Sequence, residues 1–400
     1  MKPIITHITR SIALGLLVAL AGCQTIQFER PQVMTEADWP TDGQTEERSR
    51  NVDETLELPL ELAWEYSANA GFGTSSPLIL QDRVLVGNRK GEVHTVELET
   101  GRGRGFKQMG ESVEGSPLIH EGIMFVPVAW GKRVLVAFDL AKGTNLWRKR
   151  GVPFATALIG HGETVIGIDI EGTLRAFSIR NGEEVWSLEL APFTTFKASP
   201  VRLSDTSILV ADISGKVYRV NVDEREVEWT RDLEAPIYET PAVDGGEVVI
   251  ATTRGTAHLL NADTGSDRWI WKGPEHLRMG APAVSERYVI LGSTEGTVRS
   301  FDRSTGELIW ETAFDDVVSA APLIADNAVF IGTLGEEVAA LNLQSGDITW
   351  TAEVKGRIKS AMAFADGGLL VLTEPKWVLY FKPSPGTAEL GSDNVAEERP

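Results

Sequence analysis

The sequence predicts an all-β chain: an eight-bladed β-propeller of four-stranded blades, its ring closed by the N-terminal strand. Three observations predict it. A unit of roughly 40–43 residues, the length of one propeller blade, recurs eight times. Each unit reads as short strands of period two separated by glycine turns. The closing strand that the last unit lacks stands ahead of the first.

The elements follow in chain order. Residues 1–22 read as a leader, with Lys2 and Arg10 at its basic end and an apolar stretch, Ser11–Ala21, too short to span a bilayer. Leu20-Ala21-Gly22-Cys23 resembles the bacterial lipobox, in which the cysteine thiol accepts diacylglycerol. Cys23 is the single cysteine of the 400 residues, so it is the expected lipidation site, and disulfides and thiolate metal clusters are excluded. Gln24 follows it where aspartate would retain the protein in the inner membrane, which by resemblance to that sorting rule implies the periplasmic face of the outer membrane. Residues 23–58, the lipidated Cys and a polar, acidic stretch, are expected to form a flexible tether that contributes no strand. Residues 383–400 read as a disordered acidic tail.

Between them, residues 59–382 hold the repeats. A small residue followed by proline or its relic opens each unit: Ser76-Pro77, Ser116-Pro117, Thr156-Ala157, Ser199-Pro200, Thr240-Pro241, Ala281-Pro282, Ala321-Pro322 and Ala361-Met362. A β-rich run follows, then an alternating strand ending in Asn or Asp, as in Gly296–Asp302. A turn and a tryptophan strand close the unit, as in Asp302-Arg-Ser-Thr-Gly306-Glu-Leu-Ile-Trp310. The Asn or Asp side chain bonds its own downstream backbone, and the glycine takes a positive φ. Trp64, Trp147, Trp186, Trp229, Trp269, Trp310 and Trp350 hold this position and are expected to pack between blades; Phe106 stands there in the first unit. Leu62-Ala-Trp64-Glu-Tyr66 precedes the first unit, and a ring in which it completes the last blade leaves no open edge.

Composition narrows function. With 38 Lys and Arg against 57 Asp and Glu, the net charge of −19 argues against nucleic acid and against polybasic attachment to lipid. The six histidines show no metal-ligand spacing, His94 and His258 fall at equivalent strand positions, and no catalytic triad can be drawn. No metal or cofactor is therefore expected, and no enzymatic activity. One connection departs from loop chemistry: Ala191-Pro-Phe193-Thr-Thr-Phe196-Lys197 places two phenylalanines where polar residues belong. It is either an inter-blade plug or an exposed contact. The next such loop carries Tyr238 and Glu239.

The Asn/Asp-x-x-Ser/Thr-Gly-x-x-x-Trp pattern resembles the tryptophan-docking repeats of pyrroloquinoline-quinone (PQQ) type propellers across residues 62–382. Departures are Phe106, Arg225 in place of a turn glycine, and Glu97 and Ser178 at the Asn/Asp position. The lipobox, the acidic tether and a ring without further domains resemble the BamB-type lipoproteins. That resemblance implies a non-enzymatic scaffold that docks on BamA and assists β-barrel assembly in the outer membrane. It also implies a contact through neighbouring mid-chain loops, which by position are Phe193, Phe196, Lys197, Tyr238 and Glu239. Two other functions share the repeats: an envelope binding module for glycan or another periplasmic partner, and a PQQ-dependent dehydrogenase. Large quinoproteins use vicinal cysteines, which this chain lacks.

Overall fold

The computed structural model describes residues 26–28, 34–35, 37–192 and 194–384; Cys23, Phe193 and nearly all of the acidic tail lie outside them. The described residues form strands, turns and loops with no helix. Eight four-stranded antiparallel blades follow one another around an axis, seven of them with their strands in chain order from the axis outward. Leu78–Leu80, Arg83–Gly87, Glu92–Glu97 and Gly103–Gln108 make the first blade. The last is built from Ala363–Ala365, Gly368–Thr373 and Trp377–Pro383, and its outermost strand is Leu60–Ser67. That strand pairs antiparallel with Trp377–Pro383, so the N-terminal strand closes the ring.

The recurring motifs have visible physical roles. In the small-Pro openings a hydroxyl of one blade accepts from the backbone N–H of the blade before: Ser116 from Ser76 at 2.9 Å, Ser199 from Ala157 at 3.1 Å, Thr240 from Ser199 at 3.0 Å. At the rim, five docking indoles each lie on the turn glycine of the next blade. A Cβ on Gly101, Gly182, Gly265, Gly306 or Gly346 would come within 2.6–3.0 Å of the ring of Trp64, Trp147, Trp229, Trp269 or Trp310. Each of these indoles donates to the carbonyl three residues before that glycine, as Trp310 does to Leu343 at 2.9 Å. Trp350 donates to Leu60 on the closing strand at 3.1 Å. Trp186 differs: its turn carries Arg225 at φ 60°, and its indole has no hydrogen-bond partner among the described residues.

Two sequence expectations are corrected here. The outermost strand of every blade carries a β-bulge one residue before the docking position, which twists the exposed edge away from pairing. In the first blade that register puts Gly105, not Phe106, opposite Thr95 in the docking position. Phe106 faces the other way and stacks on His94 with centroids 5.0 Å apart. At the docking position the first blade thus presents no side chain to the turn of the second.

The acidic stretch is the second correction. Residues 37–58 are a plug that runs around the axis and meets the innermost strands of seven blades. Trp39 and Ile79 exchange backbone hydrogen bonds, and Pro40 accepts from Ile119. The carbonyls of Glu46, Glu47, Ser49 and Arg50 accept from Arg202, Val243, Val284 and Ile324. Asn51–Val52 pairs parallel with the strand Leu323–Ala325. Arg48 and Arg50 have φ of 55° and 53°, a curl that L-residues rarely adopt. Arg48 is fully buried and donates to carbonyls of Pro200 and Asp42, while Arg50 donates to Pro282 and to the Asp42 carboxylate at 2.9 Å. Burial pulls the Arg48 guanidinium down from its ordinary pKa, and Asp42 opposes that pull. Polar composition made this stretch look solvated, but its partners are backbone groups that the inner strands leave open at the axis.

Candidate docking face

The plug caps the ends of the inner strands that lead into the first hairpins. Connections from each outermost strand to the next blade's innermost strand lie at the opposite face, which carries the loops singled out from sequence. In the first of these loops, Thr194 N–H donates to Ala191 O and Ile213 N–H to Thr195 O. Phe196 is 2% exposed and packs with Ile159, Ile208 and Tyr218 between two blades. It is therefore a plug between blades, and its expected role as a contact residue is corrected. Phe193 lies outside the described residues. Lys197, next to Phe196, is exposed.

The second loop is fastened at Pro236, whose carbonyl accepts from Thr253 N–H, and at Thr240. Between these points Tyr238 is 46% exposed and Glu239 half-buried. The Ser199–Thr240 bond holds the two loops side by side, so Lys197, Tyr238 and Glu239 share one face. Tyr238 and Glu239 also line a cavity of about 410 Å³, with Arg278, Met279, Val318 and Ser319 on its other walls. Desolvation raises the Glu239 carboxyl above its usual range, and Arg50 in the plug pulls it back. A raised carboxyl weakens folding at neutral pH, and that penalty fades as pH falls below the ordinary carboxylate pKa. Ser319 Oγ has no hydrogen-bond partner there. An aromatic and an apolar floor beside one cation and one desolvated acid suit a peptide loop better than a highly charged ligand.

The sequence-noted histidines are structural. His94 is buried and bonded to Tyr66 at 2.9 Å and Glu92 at 3.0 Å, and burial lowers its pKa. His258 is likewise buried and bonded to Asp267 at 3.0 Å. Among the described residues, no three His, Cys, Asp or Glu side chains come together as a metal site. What sequence reasoning missed is the cavity itself, whose walls come from three successive loops with no shared motif.

Comparison with known proteins adds to this geometry. A family model described as outer membrane protein assembly factor BamB matches residues 60–270, 170–314 and 254–388. The protein of that name from Burkholderia pseudomallei is 26% identical over 270 residues, 63% of this chain and 69% of its own. The Legionella pneumophila one is 30% identical over 202 residues, 47% of this chain and 50% of its own. The Yersinia pestis one is 27% identical over 171 residues, 40% of this chain, which spans only 44% of that relative's length. Among solved structures, BamB from Moraxella catarrhalis superposes with a TM-score of 0.70 at 20% identity, covering 81% of this chain and all of that one. Quinohemoprotein alcohol dehydrogenase from Comamonas testosteroni superposes at 0.73 and 13% identity, covering 86% and 80%. At these identities both likenesses describe the fold.

Proposed function

The chain belongs to the family of outer membrane protein assembly factor BamB, and from that premise we propose that it is a non-enzymatic scaffold of the outer membrane. In this reading it is held at the periplasmic face by a lipid on Cys23, docks on BamA, and assists β-barrel assembly and insertion. The family match across the whole ring carries the reading. Two features support it: Lys197, Tyr238 and Glu239 on one face, and a ring axis occupied by the chain's own plug. The docking surface is the loop pair 194–197 and 236–240 with the adjoining cavity. Tyr238 supplies the aromatic anchor and Lys197 the charge that orients the partner.

The test is recovery of BamA from solubilised outer membranes with the full chain as bait. Wild type should recover BamA, and Lys197→Glu with Tyr238→Ala should lose most of it while melting at the same temperature, because both side chains are exposed. Wild-type bait that recovers peptidoglycan or another partner but no BamA would overturn the assignment. Cys23→Ser should abolish incorporation of labelled fatty acid; equal labelling would place the lipid elsewhere. Calorimetry with PQQ and Ca²⁺ is the separate check on the dehydrogenase alternative.

A further inference from the structure

The slot that the first blade leaves open is not empty. Gly105 puts no side chain on the second blade's turn, and its φ of 124° is one that few L-residues adopt. The N-terminal peptide Ile26–Phe28 fills the space instead. A Cβ on Gly143 would lie 2.9 Å from Ile26 O and 3.2 Å from the Gln27 side chain, where other turn glycines face an indole. Phe28 N–H donates to Leu140 O at 2.9 Å. That carbonyl stands three residues before Gly143, the position that accepts a tryptophan N–H at five other junctions. Gln27 Nε2 donates to Ala141 O at 3.2 Å. Ile26 is 1% exposed, and both it and Phe28 join the apolar core shared by the first two blades.

This edge also differs in charge. Residues 101–150 carry nine Lys or Arg and four Asp or Glu, a surplus of five positive charges in a chain of net −19. Arg102, Lys107, Lys132, Arg133, Arg148 and Arg150 have no acid within ion-pair distance among the described residues. Five of them are exposed and Lys107 is half-buried. Trp130, 65% exposed in the same blade, is the side chain type that settles at a membrane–water boundary. Cys23 is three residues before Ile26, so its Cα lies within ~11 Å of the slot whatever path the chain takes.

We propose that Ile26–Phe28 acts as a surrogate docking tryptophan that fastens the lipid-bearing N-terminus to the edge of the first two blades, and that this basic edge faces the anionic lipid surface. The proposal rests on the Cys23 lipidation above. A lipid on a free tether would let the ring tumble. A lipid leaving from a fixed slot holds one edge at the membrane, and the opposite blades then point away from it. Basic side chains add an attraction to phosphate headgroups that the remainder of this acidic chain would oppose.

The test uses the acylated full chain reconstituted into vesicles containing phosphatidylglycerol and brominated lipid. Thr144→Cys on the second blade and Ser304→Cys on the sixth, directly across the ring, each carry an environment-sensitive fluorophore. Both sites are exposed turn or turn-adjacent positions in corresponding hairpins. Quenching should be several-fold stronger at 144 than at 304, and the difference should vanish in an Ile26→Asp/Phe28→Asp background that keeps the lipobox. Equal quenching at both sites in acylated protein would overturn the proposal while leaving lipidation intact. So would an asymmetry that survives Ile26→Asp/Phe28→Asp. An asymmetry unchanged in phosphatidylcholine vesicles would remove the basic edge from it. Mass spectrometry showing Cys23 unmodified would instead overturn the anchoring reading, and this proposal with it.

Discussion

The junction between the sixth and seventh blades and the junction between the first and second solve one packing problem with different material. At the former, the Trp310 indole lies on Gly346 and donates to Leu343 O. At the latter, the terminal peptide Ile26–Phe28 covers Gly143, and the Phe28 backbone N–H donates to Leu140 O. The glycine and the carbonyl are common to both, so the slot is defined by the receiving turn and not by its occupant. An indole comes attached to the strand that needs it and cannot leave without unfolding the blade. A terminal peptide can leave alone. The same site is therefore part of the global fold at one junction and a local, separately opening contact at the other.

The largest expected effect removes the second kind of contact altogether. Deleting residues 24–53 takes away the slot peptide and the plug that meets seven inner strands. The backbone N–H groups of Ile79, Ile119, Arg202, Val243, Val284 and Ile324 lose their acceptors. Buried donors left unpaired cost ~1–3 kcal/mol each, so the loss should exceed that of any single substitution. Urea unfolding should show a much lower midpoint or a broadened, aggregation-prone transition. A midpoint equal to wild type would mean the ring is held by its rim alone.

That deletion is where the sequence was least legible. The eight-unit period, the docking tryptophans and the closing strand could all be read, because each rests on a local pattern: Gly306 four residues before Trp310, or Trp64 ahead of the first unit. The plug has no such pattern. Its contacts are made by carbonyls of Glu46, Glu47 and Ser49, which any sequence would supply, and its buried charges, Arg48 and Arg50, look like solvated ones. Gly105 was hidden because Phe106 beside it mimics the missing aromatic, although the spacing of four from Gly101 and the bulge register both place Gly105 in the docking position. Phe196 was legible as an anomaly, but exposure and burial predict the same apolar residue at that place.

The next effect compares two indoles. Trp310→Ala empties a buried slot and leaves Leu343 O without its donor, at ~3–5 kcal/mol. Trp186→Ala should cost about half of that, since its ring is half-buried and its N–H has no hydrogen-bond partner among the described residues. Paired urea titrations decide it. Equal costs would show that the hydrogen bond and the glycine platform add nothing to ring burial.

Smaller still is Ile26→Asp. The freed peptide can move into solvent, so the penalty is bounded by the docking free energy of a short segment, ~1–2 kcal/mol. Global melting should fall little, while cleavage of the chain between residues 29 and 36 by a nonspecific protease should speed markedly. A loss as large as that of Trp310→Ala would mean the terminal peptide belongs to the global fold after all.

The smallest effect concerns the turn that receives Trp186. Arg225 holds φ 60° where Gly101, Gly182, Gly265, Gly306 and Gly346 hold φ of 67–75° at the other turns, so a residue with a Cβ occupies left-handed backbone. Arg225→Gly removes that strain and uncovers the flat surface on which the other indoles lie. It also gives the unfolded chain more freedom, which works against the gain. The net should be a stabilisation of ~0.5–1 kcal/mol. Strain relief and indole docking can be separated by repeating the change in a Trp186→Ala background. If the gain is backbone strain alone, it should be the same with and without the indole. If the glycine lets Trp186 settle and reach the carbonyl three residues back, the gain should shrink once the ring is gone, and the coupling measures what the glycine platform contributes to a docked tryptophan.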